Sequence, residues 1–178
     1  MNKTRRAADV IVERLIAHAV RHVFSVAGES YPDVLGALYD ARGDMQIVPC
    51  RHEAAAANMA EACGKLCGRA GDAFVTRGPG LTHASIDVHT AMQDASPMVL
   101  FVGEISREDR HRRAFHEVDL AVTFADLAKG VCRSISQSAW AKSSAARSNW
   151  LNPADPALIG LLTSAEDISP GRRLSSLN

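Results

Sequence analysis

Arg51-His52-Glu53-Ala54-Ala55-Ala56-Ala57-Asn58-Met59-Ala60-Glu61-Ala62 follows directly on the apolar run Gln46-Ile47-Val48-Pro49-Cys50. A single acid, Glu53, therefore stands where a short strand hands its chain to an alanine-rich helix. In an open α/β sheet this position is the carboxyl edge of the strands, where such sheets bind ligands. The small residues behind Glu53 let another backbone or a flat ring come close. Further on, Phe74-Val75-Thr76-Arg77-Gly78-Pro79-Gly80-Leu81-Thr82-His83 repeats the arrangement, with an apolar run that breaks into a Gly-Pro-Gly turn.

Outward from these two segments the chain alternates between helix and strand. Ala8, Ile11, Val12, Leu15, Ile16 and Ala19 recur at helical spacing and form one apolar stripe. A short strand is expected at His22 to Val26, stopped by Gly28. The next helix runs from about Tyr31 to Ala41, with Ser30 as N-cap and Pro32 in the first turn. Strands follow at Gln46 to Cys50, Ala73 to Thr76 and Met98 to Gly103, with helices at His52 to Gly68 and Leu81 to Gln93 between them. Val118 to Ala128 reads as a further short helix, and the charged run Arg107 to Arg113 as a solvated loop. This rhythm predicts an α/β domain: a parallel sheet with helices on both faces.

The regular pattern covers residues 7–133. From Ser134 to Asn178 the chain concentrates serine, holds both tryptophans and has no strand-helix rhythm. The expectation for 134–178 is an atypical tail, disordered or frame-shifted, with a divergent C-terminal extension as the alternative.

A chain of 178 residues allows one domain with a sizeable core. Lys plus Arg and Asp plus Glu are both 20, so charge makes no case for nucleic acid or an anionic membrane. No apolar run reaches the length of a membrane span, and Met1 to Arg6 leads into an amphipathic helix, not a signal-peptide core. Cys50, Cys63, Cys67 and Cys132 form no Cys-x-x-Cys motif and read as reduced thiols in a cytoplasmic protein. No metal ligand set is expected from their spacing. There is no G-x-x-x-x-G-K-[ST], no strand-linked G-x-G-x-x-G, no Ser-His-Asp order and no His-Glu-x-x-His.

Several short segments, in one order, are similar to a known family. They are the opening helix Ala8 to Leu15, the strand and Gly turn His22 to Ser30, Arg51-His52-Glu53, and Thr76-Arg77-Gly78-Pro79-Gly80. Asp94-Ala95-Ser96-Pro97-Met98-Val99 and Ala114-Phe115-His116-Glu117 complete the set. Together they resemble the N-terminal pyrimidine-binding domain of thiamine-diphosphate enzymes, in the acetolactate synthase and benzoylformate decarboxylase group. Two residues depart from the family pattern, His83 where Asn is usual and His116 where Gln is usual.

The resemblance implies thiamine diphosphate as cofactor and Glu53 as the catalytic carboxylate beside the aminopyrimidine N1′. That role calls for an acid in a dry site with a strong hydrogen bond to the ring. Taken alone, an acid at a helix start equally serves the helix dipole. The resemblance further implies cofactor contacts from Gly28, Gly78, Pro79 and Thr82, and a substrate channel beside His83, Phe115 and His116. The family's G-D-G…Asn motif for Mg²⁺ and diphosphate has no counterpart: Gly43-Asp44-Met45 and Gly71-Asp72-Ala73 do not continue it. Only the pyrimidine half of a cofactor site is thus expected, with Mg²⁺ on a missing domain or a partner, and FAD is left open. The expected function is that of a truncated carboligase or decarboxylase acting on 2-oxo acids, inactive alone. A stand-alone α subunit of a two-subunit 2-oxo-acid decarboxylase and a non-catalytic dimeric interaction module are the alternatives. The expected partner is a second copy or a diphosphate-binding domain or subunit, with neither nucleic acid nor membrane involved.

Overall fold

The computed structural model describes residues 6–134 and 157–161. Among the described residues five helices and six strands follow in the order α1 (Ala7–Ala17), β1 (His22–Ser25), α2 (Pro32–Asp40), β2 (Gln46–Pro49), α3 (Glu53–Cys67), β3 (Gly71–Thr76), α4 (Arg77–Gln93), β4 (Met98–Gly103), α5 (Leu120–Thr123), β5 (Gly130–Ser134) and β6 (Ala157–Leu161). A 3-10 turn over Arg107–Asp109 follows β4. The strands form one sheet in the order β2-β1-β3-β4-β6-β5, and every pairing is parallel.

The expected α/β class is observed, and the four expected strands make the contiguous block β2-β1-β3-β4. The chain leaves β1 for β2, then crosses back over β1 to reach β3, so the winding direction reverses between β1 and β3. In open parallel sheets that reversal opens a crevice at the carboxyl ends of the strands.

Side chains alternate across the sheet as strand geometry requires. On one face Val23, Phe74, Val99 and Phe101 pack against Ile11 and Leu15 of α1 and Val34 and Leu38 of α2. On the other, Phe24, Ala73, Val75, Leu100 and Val102 meet Ala56, Ala57 and Ala60 of α3 and Leu81, Ala84 and Val88 of α4. The contact face of α3 is built from small residues, which brings helix and sheet into backbone contact. A Cβ on Gly71 would sit 1.9 Å from the Ala60 carbonyl oxygen, and one on Gly64 would sit 2.0 Å from that of Pro97.

Four local expectations are corrected. Ser30 does not cap α2: Tyr31 occupies the cap position without a side-chain bond, and the Ser30 hydroxyl pairs with that of Thr76. The Gly-Pro-Gly segment is not a turn ahead of α4 but its first turn, since α4 starts at Arg77. Proline is tolerated there because the first helical N–H groups have no intrahelical acceptor. The helix expected over Val118 to Ala128 is a single turn, capped by the Asp119 carboxylate on the N–H groups of Ala121 and Val122. Finally, β6 lies inside the segment read as having no strand-helix rhythm. Ala157-Leu158-Ile159-Gly160-Leu161 is a short apolar run, and such runs carry no periodicity to mark them. The rest of the expected tail, 135–156 and 162–178, lies outside the described residues.

Candidate functional site

Three strand ends converge on the crevice. Gly28 follows β1, Glu53 follows β2 and opens α3, and Arg77 to Gly80 follow β3 and open α4. Glu53 is there because strand-to-helix handover leaves the first helical residue at the sheet edge. His52 fixes the start of α3: its Nδ1 accepts the Ala54 N–H at 3.2 Å, the cap role that Ser or Asp usually fills.

The Glu53 side chain is 16% exposed, and its Oε2 lies 3.0 Å from Nδ1 of His83 on α4. The His83 ring stacks on that of His52, with centroids 4.7 Å apart and planes at 26°. Gly80 borders the carboxylate, and a Cβ there would lie 3.4 Å from Glu53 Oε1. The missing side chain leaves an approach to the acid from α4.

Gly28 seals the winding reversal. A Cβ on it would fall 2.2 Å from Thr76 Oγ1, so no side chain fits between the β1 loop and the end of β3. The same corner is tied by an ion pair at 3.3 Å between Arg77 and Glu29. Arg77 itself has φ 47°, a left-handed conformation costly for a residue with a Cβ and common at functional sites. Beneath the corner Tyr31 is fully buried. Its hydroxyl donates to the Val26 carbonyl and lies 3.2 Å from Ser25 Oγ. Burial pushes its pKa up to about 12, the Ser25 hydrogen bond opposes this, and the Glu53 charge adds to it.

The other expected residues divide between two places. Thr82 donates its hydroxyl to the Pro79 carbonyl at 2.9 Å, within the first turn of α4. Gly78 donates its N–H to the His116 carbonyl at 3.0 Å. His116 is also left-handed, with φ 68°, stacks on Phe115 at 3.5 Å and has a buried Nδ1 with no hydrogen-bond partner. Phe115 is exposed. The structure therefore brings His83 to Glu53, and His116 to Gly78, where a separate cavity opens between Arg77, Glu104, Arg110, His116 and Arg133.

The sequence reading passed over Glu104, Arg133 and Tyr31. Arg133 Nε donates to both Glu104 oxygens, at 2.9 and 2.8 Å, and the Glu104 side chain is only 7% exposed. Burial raises the Glu104 pKa, and the Arg133 hydrogen bond and charge oppose the rise. Its position was legible by the rule that found Glu53, since it is the first acid after the apolar run Met98–Gly103. Among the described residues no helix is long and apolar enough to cross a membrane.

Residues 5–123 match the family described as thiamine pyrophosphate enzyme, N-terminal TPP binding domain. The chain is similar to the catabolic acetolactate synthase of Raoultella terrigena, 37% identical over 122 residues, covering 68% of this chain and 22% of the relative. It is 36% identical over 124 residues to acetolactate synthase of Bacillus subtilis, covering 70% of this chain and 21% of that protein. With 2-hydroxyacyl-CoA lyase 2 of Xenopus laevis the identity is 33% over 128 residues, covering 72% of this chain and 19% of the relative. The chain thus spans about a fifth of the length of the curated relatives it matches. The residues placed around Glu53 fall within the matched stretch, and the chain belongs to the thiamine pyrophosphate enzyme family, of which it carries the N-terminal TPP binding domain.

Proposed function

We propose that this chain supplies the pyrimidine-binding half of a thiamine-diphosphate site in an acetolactate-synthase-like protein that acts on 2-oxo acids in the cytoplasm. One observation carries the reading: a mostly buried carboxylate, Glu53, at a helix start on the carboxyl edge of the sheet, bordered by Gly80. The residues present suit an aminopyrimidine. Gly80 would leave room for a flat ring beside Glu53, and Gly28, Gly78, Pro79 and Thr82 would supply the surrounding backbone. When bound, thiamine diphosphate supplies the electron sink for making and breaking bonds next to a carbonyl.

Glu53 holds the proton shared with N1′, which requires a carboxylate and not merely an acceptor. Its burial keeps water off that hydrogen bond and strengthens it. His83, more than half exposed, would give up its contact with Oε2 to a bound ring, and His116 and Phe115 would border the substrate side. Residues 7–133 form the working unit. Mg²⁺ and the diphosphate are held by a second domain or a partner chain, because the G-D-G…Asn donor set is absent from this sequence. A stand-alone subunit of a two-subunit decarboxylase is the second reading. It is supported by β6, which fills the sheet between β4 and β5 from within this chain.

The test is hydrogen–deuterium exchange at C2 of the cofactor in a complex of this chain with a diphosphate-binding chain. Glu53→Gln keeps the size and one acceptor oxygen but cannot share a proton with N1′. The exchange rate is expected to fall by roughly a hundred- to ten-thousandfold, the usual range for a lost acid–base group. Equal rates in the two proteins would leave Glu53 as a helix-start acid.

A further inference from the structure

Glu53 is not isolated from other donors. His52, Glu53 and His83 each offer one ligand atom, and the three atoms lie within 4.8 Å of one another. Among the described residues this is the one group of three such side chains close enough to hold an ion. Cysteine spacing led to the expectation of no metal ligands. These donors escape a search along the sequence, because His83 and Glu53 are 30 residues apart and meet only when α4 packs on α3.

We propose that His52, Glu53 and His83 form a binding site for a divalent transition-metal ion, with Zn²⁺ as the expected occupant. The donor set carries the choice of ion. Two imidazoles and one carboxylate suit Zn²⁺, Ni²⁺ or Cu²⁺, whereas Mg²⁺ and Ca²⁺ call for oxygen ligands. The spacing agrees. Ligands at about 2.0–2.1 Å from a tetrahedral ion stand roughly 3.3 Å apart, and Glu53 Oε2 and His83 Nδ1 are 3.0 Å apart. An ion placed there takes over the contact the two now make directly. The His52 ring is already stacked against His83, so a modest rotation of the exposed rings brings its nitrogen in. The two histidines are exposed and Glu53 is partly so, which leaves the remaining coordination position open to water or a small anion.

The site has a built-in marker. A neutral imidazole has one lone pair, and His52 spends it at Nδ1 on the Ala54 N–H. Ligation by either ring nitrogen therefore breaks that cap bond and releases the amide. Metal and aminopyrimidine also compete for one carboxylate, although the metal site rests on the three side chains and stands independently of the cofactor reading.

The experiment is a ZnCl₂ titration of the full chain in a non-chelating buffer, by calorimetry and by nitrogen–proton correlation spectra of the histidine rings and the backbone. About one Zn²⁺ per chain is expected, with His52, His83 and the Ala54 amide shifting together and with Mg²⁺ leaving all three in place. His83→Asn and Glu53→Gln are each expected to weaken binding at least tenfold, since even an outer-shell partner is worth roughly 10–100-fold. His89→Asn, at an exposed histidine of α4 outside the cluster, is expected to bind as the wild type does. Absence of binding, undiminished affinity in His83→Asn, or shifts confined to the neighbourhood of Cys63 and Cys67 would each overturn the assignment. The wild-type spectra decide the matter even where a variant folds poorly.

Discussion

Replacing Asp87 by Asn tests the least comfortable group in the domain. Asp87 lies on α4, is 3% exposed and has one carboxyl oxygen, Oδ2, buried without a hydrogen-bond partner. The charge that acts on it is of the same sign: Glu61 on α3, itself 9% exposed and held by the Ser96 hydroxyl at 2.6 Å. Burial first, and the Glu61 charge second, push the Asp87 pKa from the ordinary 3.8 to about 6. At 1.36 kcal/mol per pKa unit, holding this carboxylate ionised in the folded state costs about 3 kcal/mol. The sign follows from linkage. A folded-state pKa above the unfolded one means that the native protein binds the extra proton, so stability is highest below about pH 4. It falls as pH rises to about 6 and is flat beyond. Asn keeps the shape without the charge, so its benefit over Asp grows with pH. Between about pH 5 and pH 7 the gain should widen by about 1.3 kcal/mol, near a tenfold change in the unfolding constant. Urea denaturation of both proteins across that range measures it. Parallel stability profiles, or a gap that narrows with rising pH, would refute the placement of Asp87 as a buried, strained acid.

Gly28→Ala puts a methyl against Thr76 Oγ1 at 2.2 Å and Thr76 Cβ at 2.4 Å, and is expected to cost about 1–3 kcal/mol. An unchanged melting temperature would mean that the β1 loop moves aside freely. Arg133→Ala strips a nearly buried Glu104 of its counter-charge, with an expected loss of about 3–5 kcal/mol near neutral pH. The loss should shrink in acid as Glu104 takes up a proton, because its raised pKa climbs further without Arg133. Denaturation at the two pH extremes checks both the size and the trend.

What could be read from the sequence was local and periodic. The four strands and Glu53 at a strand end follow from short apolar runs that break into helical patterns, a signal each segment carries by itself. The start of α4 was misjudged because Gly-Pro-Gly is the composition of a turn, and only the fold reveals that the first helical turn accommodates it. Ser30 had the chemistry of a cap, but its hydroxyl was drawn to Thr76, 46 residues away. Separation along the chain likewise hid the contact of Glu53 with His83 and the influence of Glu61 on Asp87. Each pair joins α3 to α4, and helix-helix contacts leave no mark in either helix alone. For β6 the obstacle was different, since a five-residue apolar run without alternation does not distinguish strand from buried helix.

The alanine face of α3 has a mechanical consequence. Long side chains between a helix and a sheet act as a deformable gasket, whereas main chain resting on main chain is a hard stop. Near its far end α3 bears through Gly64 on the Pro97 carbonyl, and its middle bears through Ala60 on Gly71. Glu53 sits on the opposite end of the same rod, about 16 Å along the axis from Gly64. Helix α3 behaves as a lever seated on two rigid bearings, so the aim of the carboxylate is set by steric contacts remote from any chemistry. Evolution can tune Glu53, or spoil it, by one methyl group at the tail of the helix.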